Sequence, residues 1–217
     1  MPVRGTAHFG ILYRVNSVGF DLDLTLADTR AAIAAVYEAM SPRLAYPIDV
    51  DVVVSRLGPP LEEELAYWMP EEEIPAAAAL YRELYPWIAL PMTGLMPGAG
   101  EALAAVRRAG GRIIVVTGKN VLDARRTVDA LGFEVDEVVG SLFGADKGEA
   151  LASFGAGAYV GDHVADIDAA RAGGATSVAV ATGSFTADQL VDHGADVVLE
   201  DLTQFVAWFD SWTAVSA

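Results

Sequence analysis

Short apolar runs that each stop at a residue able to bind a ligand constrain this chain more than any other feature. In Val18-Gly19-Phe20-Asp21-Leu22-Asp23 the run reaches two carboxylates one residue apart. On a strand, residues i and i+2 share a face. Two like charges so close repel unless a cation or a shared proton sits between them. The segment therefore reads as a strand end with an acidic site suited to a divalent metal; the alternative is a surface loop with two solvated aspartates. Ile113-Ile114-Val115-Val116 runs into Thr117, Gly118 and Lys119. Tyr159-Val160-Gly161 runs into Asp162, His163 and, further on, Asp166. Lys147, in Gly144-Ala145-Asp146-Lys147-Gly148, reads as a fourth such end. In an open parallel sheet, ligands bind beyond the carboxyl ends of the strands. Carboxylates, a hydroxyl, backbone N–H groups and a lysine gathered there describe a site for Mg²⁺ and phosphate.

From Gly98 onward, helix and strand alternate. A helix over 99–109 is closed by Gly110-Gly111. Strands are expected near 112–117, 135–140, 158–162, 177–180 and 196–199. Helices are expected over 121–131, 147–154, 167–172 and 186–193. With a first strand at 17–21, right-handed crossovers give an α/β fold with a doubly wound parallel sheet. The stretch from 30 to 92 breaks this alternation. It reads as helices over 30–40, with Asp28 as N-cap, then 49–55, 61–68 and 74–87. Pro42, Pro47 and Arg56-Leu57-Gly58-Pro59-Pro60 separate the first three. The expected organisation is a core domain of residues 17–29 and 93–217, an inserted helical domain over 30–92, and an N-terminal extension over 1–16.

Composition sets outer limits. The chain is 53% hydrophobic and 20% charged, enough for a core and against disorder. No run approaches the ~20 apolar residues needed to span a bilayer. The apolar centre at 9–13 is too short for a signal peptide. With no cysteine there is no disulfide or thiolate metal site, and the expected location is cytoplasmic. A net charge of −16 argues against nucleic-acid partners and anionic membranes. It leaves room for a phosphorylated substrate, because a metal and a few cations can dominate one cleft. The two lysines, Lys119 and Lys147, both fall in the polar segments described above.

In order, these segments resemble the four motifs of the haloacid dehalogenase (HAD) superfamily, in its phosphatase branch. Asp21-Leu22-Asp23-Leu24-Thr25 resembles motif I, Thr117 motif II and Lys147 motif III; Gly161-Asp162-His163-Val164-Ala165-Asp166 resembles the GDxxxD form of motif IV. The likeness runs from Ser17 to Phe209 and is nearest to phosphoglycolate-phosphatase-like members with a C1-type helical cap. Leu24 stands where that family usually has glycine.

The resemblance implies a phosphatase with Asp21 as nucleophile and Asp23 as general acid and then base. It implies Mg²⁺ held by the Asp21 side chain, the Asp23 backbone carbonyl and the Asp162 side chain. Asp166 would orient a metal-bound water or Lys147, or instead serve only as a helix N-terminal acid. Thr117, Gly118 and Lys147 would bind the phosphoryl group. Lys119 would contact substrate or else lie on the surface. Arg56 aligns with the cap loop that reads the leaving group. It could grip a second anion or end a surface helix. His163 is expected to line the cleft or be buried; His8 and His193 are given no role. The implied substrate is a small phosphorylated metabolite, phosphoglycolate by fold analogy. Two other readings remain: a phosphomutase of the β-phosphoglucomutase type, and a non-catalytic binding protein on a HAD scaffold. The acid at Asp23 points away from dehalogenation.

Overall fold

The computed structural model describes residues 17–215. Along the chain run β1 (Ser17–Phe20), β2 (Ala27–Asp28), α1 (Arg30–Met40), α2 (Val50–Ser55), α3 (Leu61–Ala66), α4 (Ile74–Ile88) and β3 (Gly94–Leu95). Then come α5 (Ala99–Arg108), β4 (Arg112–Val116), α6 (Val121–Ala130), β5 (Glu137–Val139), α7 (Asp146–Ser153) and β6 (Ala156–Gly161). The chain closes with α8 (Val164–Gly173), β7 (Thr176–Val180), α9 (Ala187–Asp192), β8 (Val197–Leu199) and α10 (Phe205–Val215). The expected extension over 1–16, with His8, lies outside the described residues.

Six strands form one parallel sheet in the order β5-β4-β1-β6-β7-β8. After β1 the sheet grows one way through β4 and β5. The chain then crosses back to β6 and the sheet grows the other way. This reversal beside β1 is the topological switch point, where an open α/β sheet offers a crevice. Side chains alternate across the sheet. Ile113 and Val115 of β4 join Phe20, Val160 and Phe205 on one face. Ile114 and Val116 join Leu151, Tyr159 and Ala169 on the other. With both faces covered, every residue of β1 is buried. Gly19 is required there: a Cβ would lie 2.6 Å from Leu151 Cδ2 and 2.8 Å from Tyr159 Cδ2.

Helices α1 to α4 bury a hydrophobic cluster of their own, including Val36, Tyr37, Met40, Leu65, Tyr81 and Tyr85. Helix α2 carries four valines in six residues, which favour strand. Asp49 starts it nonetheless, its carboxylate accepting from Asp51 N at 3.1 Å and Val52 N at 3.3 Å. The chain enters and leaves the helical block through a two-stranded antiparallel ribbon, Ala27 opposite Leu95 and Asp28 opposite Gly94.

Three expectations need correction. Asp28 is not the N-cap of α1: it lies in β2, Thr29 holds the cap position without a side-chain bond, and Asp28 ion-pairs with Arg30 at 3.1 Å. Lys147 does not end a strand but sits in the first turn of α7. Helix α3 stops at Ala66 rather than running to Trp68.

Candidate active site

The end of β1 delivers Asp21 to the crevice, and its backbone N–H is held by Val160 O at 2.8 Å. A tight turn follows. Leu22 O accepts from Leu26 N at 3.0 Å and Ala27 N at 2.9 Å. Within it Leu24 takes φ of +60°, the left-handed region that glycine enters freely. The turn therefore keeps a glycine-like path with leucine in place. The Leu24 carbonyl accepts from Thr182 Oγ1 at 2.6 Å, which pins the turn to the loop after β7.

Lys147 is buried, and its ammonium donates three hydrogen bonds. They run to Asp21 Oδ1 at 2.9 Å, Asp166 Oδ1 at 2.7 Å and Tyr159 Oη at 2.9 Å. That uses all three of its N–H donors. Tyr159 in turn donates to Val116 O at 2.7 Å. Sequence reasoning missed Tyr159. Its only signal was a phenol inside a run otherwise apolar, facing a lysine whose burial demands acceptors. Asp166 does two of the expected jobs. One oxygen holds Lys147, and the other accepts from His163 N at 3.2 Å, closing a capping box at the start of α8.

Asp21, Asp162 and Asp166 each bring a carboxylate oxygen within 4.8 Å of the others, all three buried. Thr25 Oγ1 donates to Asp162 Oδ1 at 3.0 Å. Among the described residues, the Lys147 ammonium is the one cation bonded to this trio. Burial lifts the Asp21 carboxyl to about 7 against the pull of Lys147, with Asp166 and Asp23 adding repulsion. Burial, then Asp21 and Asp166, pushes Asp162 well above the usual carboxylate range. Such excess buried negative charge on hard oxygen donors fits a divalent cation.

The Asp23 side chain points to a different partner. Its Oδ1 lies 3.0 Å from Lys119 Nζ, and that ammonium sits 4.7 Å from the centre of the Tyr85 ring. Burial alone would lower the Lys119 pKa, but Asp23, Tyr85 and Tyr81 outweigh it and hold the ammonium well above its ordinary value. Lys119 is therefore not a surface lysine. Thr117 is buried at the end of β4, and its Oγ1 accepts from Lys119 N at 3.3 Å. Gly118 lies beneath the helical block: a Cβ there would be 3.1 Å from Gly58 O. Gly58, with φ of +146°, also presses on His163, whose Cδ2 would lie 2.7 Å from a Cβ at Gly58. His163 caps α8 by accepting from Ala165 N at 3.0 Å, and its ring packs between Phe143 and Phe185.

A cavity of about 100 Å³ joins these parts. Asp21, Asp23, Thr117, Gly118 and Lys119 line its floor, and the Gly58-Pro59-Pro60 loop with Tyr37 and Tyr81 lines its roof. Arg56 lines it too, yet it is not a free cation. Its Nε lies 3.4 Å from Glu64 Oε2, and its guanidinium stacks 3.7 Å from the centre of the Tyr67 ring. Asp162, Asp166 and Lys147 lie behind Asp21 rather than in this lining.

A doubly wound α/β core with an acidic cluster at its switch point and a helical insertion over it defines a hydrolase class. Residues 15–174 match the haloacid dehalogenase-like hydrolase family, and residues 149–205 match a second HAD-hydrolase-like model. The chain belongs to this family. It is 30% identical over 198 residues to the tyrosine-protein kinase PtkA of Mycobacterium tuberculosis, covering 85% of this chain and 68% of that protein. It is 29% identical over 207 residues to the probable phosphatase IndB of Dickeya dadantii, covering 86% and 90%. A haloacid dehalogenase-like hydrolase from Streptococcus pneumoniae shares the fold with a TM-score of 0.78 at 22% identity, covering 90% of this chain and 99% of that one.

Proposed function

We infer that this protein is a Mg²⁺-dependent phosphatase that hydrolyses a small phosphomonoester through Asp21. One observation carries the reading. Asp21 is held by Lys147 at the floor of a cavity whose other floor residues include the Thr117 hydroxyl, Gly118 and a second aspartate. Similarity to the probable phosphatase of Dickeya dadantii supports it.

Asp21, Asp162 and the Asp23 carbonyl would hold Mg²⁺, which when bound neutralises phosphoryl charge. Lys147 fixes the Asp21 carboxylate and adds a second positive charge beside it. Thr117 and Gly118 donate to phosphoryl oxygens from positions set before charge moves, which favours the transition state. Asp21 attacks phosphorus in line, and the ester oxygen departs with a proton from Asp23. Asp23 then takes a proton from water as that water attacks the aspartyl-phosphate, and phosphate leaves. Asp23 enters the first step in its protonated form, and Lys119, 3.0 Å from its Oδ1, holds the side chain in place. Helices α1–α4, over residues 30–92, act as the cap that closes on substrate.

The test is release of phosphate from p-nitrophenyl phosphate. Mg²⁺ supports turnover, EDTA stops it, and Asp21→Asn lowers kcat by at least about 10³-fold, as for loss of a covalent nucleophile. Full activity in chelator, or in a verified Asp21→Asn protein, would falsify the mechanism. Tracking products of a sugar phosphate separates hydrolysis from a mutase, since only hydrolysis frees phosphate.

A further inference from the structure

The cavity above Asp21 has a charge arrangement that speaks to the leaving group. Three cations line it, and each is already matched by a carboxylate of the same lining. Arg56 pairs with Glu64, Arg82 with Glu62, and Lys119 with Asp23. Glu64 is buried, and its other oxygen accepts from Trp68 Nε1 at 2.8 Å. A further lining carboxylate, Asp123, is taken up by Arg126 and Asn120. At Arg56 or Lys119 a second anion on the substrate would have to strip the cation from a carboxylate that is itself buried or nearly so, whereas the Arg82–Glu62 pair lies at the solvent-exposed edge of the lining. Breaking one side of a buried pair leaves an uncompensated charge, which is strongly unfavourable.

Neutral groups are treated differently. The Tyr37 and Tyr81 rings are buried, with centroids 5.4 Å apart, and both face the cavity. Among the described residues neither hydroxyl has a hydrogen-bond partner, whereas the neighbouring Tyr85 hydroxyl is bonded to Thr127 at 2.9 Å. Burial lifts both phenols above their ordinary range, so they stay neutral donors. Both hydroxyls are therefore free to donate to a group that enters the cavity. Two open phenols beside the apolar side chains of Ile33, Val53 and Leu57 ask for a ligand with hydroxyl groups and a hydrocarbon face.

We propose that the leaving group this site accepts is an uncharged, hydroxyl-bearing alcohol, and that Tyr37 and Tyr81 recognise it. Esters carrying a carboxylate or a second phosphate bind more weakly, phosphoglycolate among them. This rests on the phosphatase reading but is tested apart from it. Hydroxyethyl phosphate and phosphoglycolate differ only in a CH₂OH against a carboxylate. Their binding to Asp21→Asn protein with Mg²⁺, measured by calorimetry, needs no turnover.

Hydroxyethyl phosphate should bind about tenfold more tightly, the scale of one or two neutral hydrogen bonds gained. Tyr37→Phe with Tyr81→Phe should shrink that preference. Glu64→Gln should shift it toward phosphoglycolate by releasing Arg56. Equal or tighter binding of phosphoglycolate to the Asp21→Asn protein overturns the proposal. So does a preference that survives loss of both phenols. Absence of p-nitrophenyl phosphate turnover in the wild type would instead sink the phosphatase reading.

Discussion

Leu24 shows how a single residue can hold an awkward conformation near the site. It is one of two described non-glycine residues with positive φ, and it is almost fully buried. Glycine would relieve about 1–2 kcal/mol of backbone strain. It would also lose about 1.5–3 kcal/mol of side-chain burial and roughly 0.5–1 kcal/mol to backbone entropy. The losses win, so Leu24→Gly should destabilise by about 1 kcal/mol in urea unfolding; a more stable variant would show that packing is not what keeps leucine there. Tyr159→Phe takes one acceptor from Lys147 and leaves the Val116 carbonyl without its donor. It should cost about 1–3 kcal/mol of stability and lower kcat, since Lys147 is then less firmly aimed at Asp21. Unchanged values for both would remove Tyr159 from the support of the site. Asp21, Thr117 and Asp162 were legible in the sequence because each ends a local apolar run. Tyr159 was not, because its partners lie 12 residues away at Lys147 and 43 away at Val116. Arg56 was visible as a cation beside a Gly-Pro-Pro break, but its commitment to Glu64 depends on how α2 and α3 pack.

At the scale of elements, the loop from Gly58 to Pro60 decides how the helical block meets the core. Gly58 adopts φ of +146° and touches His163. Any side chain there meets both backbone strain and the imidazole ring. Strain of about 1–3 kcal/mol is typical of such positions, so Gly58→Ala should lower kcat/KM by roughly tenfold while circular dichroism stays native. An unchanged kcat/KM would mean that the loop does not need to settle on His163 for catalysis. The strand–helix alternation of the core was readable because its periods are long enough to repeat. The β2–β3 ribbon was not, because two residues per strand carry no period. Helix α10 was not assigned either. Its sequence is apolar around most of its circumference, with Phe205 and Phe209 buried and Trp208 stacked on Trp212, so it shows no polar face against which to read a helical period.

For the whole molecule, a net charge of −16 means that the folded state works against its own repulsion. Raising NaCl should raise the melting temperature modestly by screening. Mg²⁺ should do more at matched ionic strength, because binding to the native state alone adds stability, about 2.7 kcal/mol at a hundredfold excess over Kd. Asp162→Asn should keep the salt response and lose the Mg²⁺-specific part. Identical responses to the two cations in the wild type would argue that the acidic cluster holds no metal.

The ribbon of β2 and β3 carries a consequence for ancestry. The chain departs the core at Asp28 and returns at Gly94, and these two residues face each other across one antiparallel pair. Paired strands lie about 5 Å apart, a gap that a two-residue turn bridges. Everything between them is therefore a cassette whose two covalent joins share one seam, though it also rests on the core through Tyr85 and the Gly58 loop. Replacing it need not disturb Asp21, Lys147 or Asp162, all of which belong to the other side of the join. A lineage built this way can change what it acts on by exchanging the insert while inheriting the reaction intact.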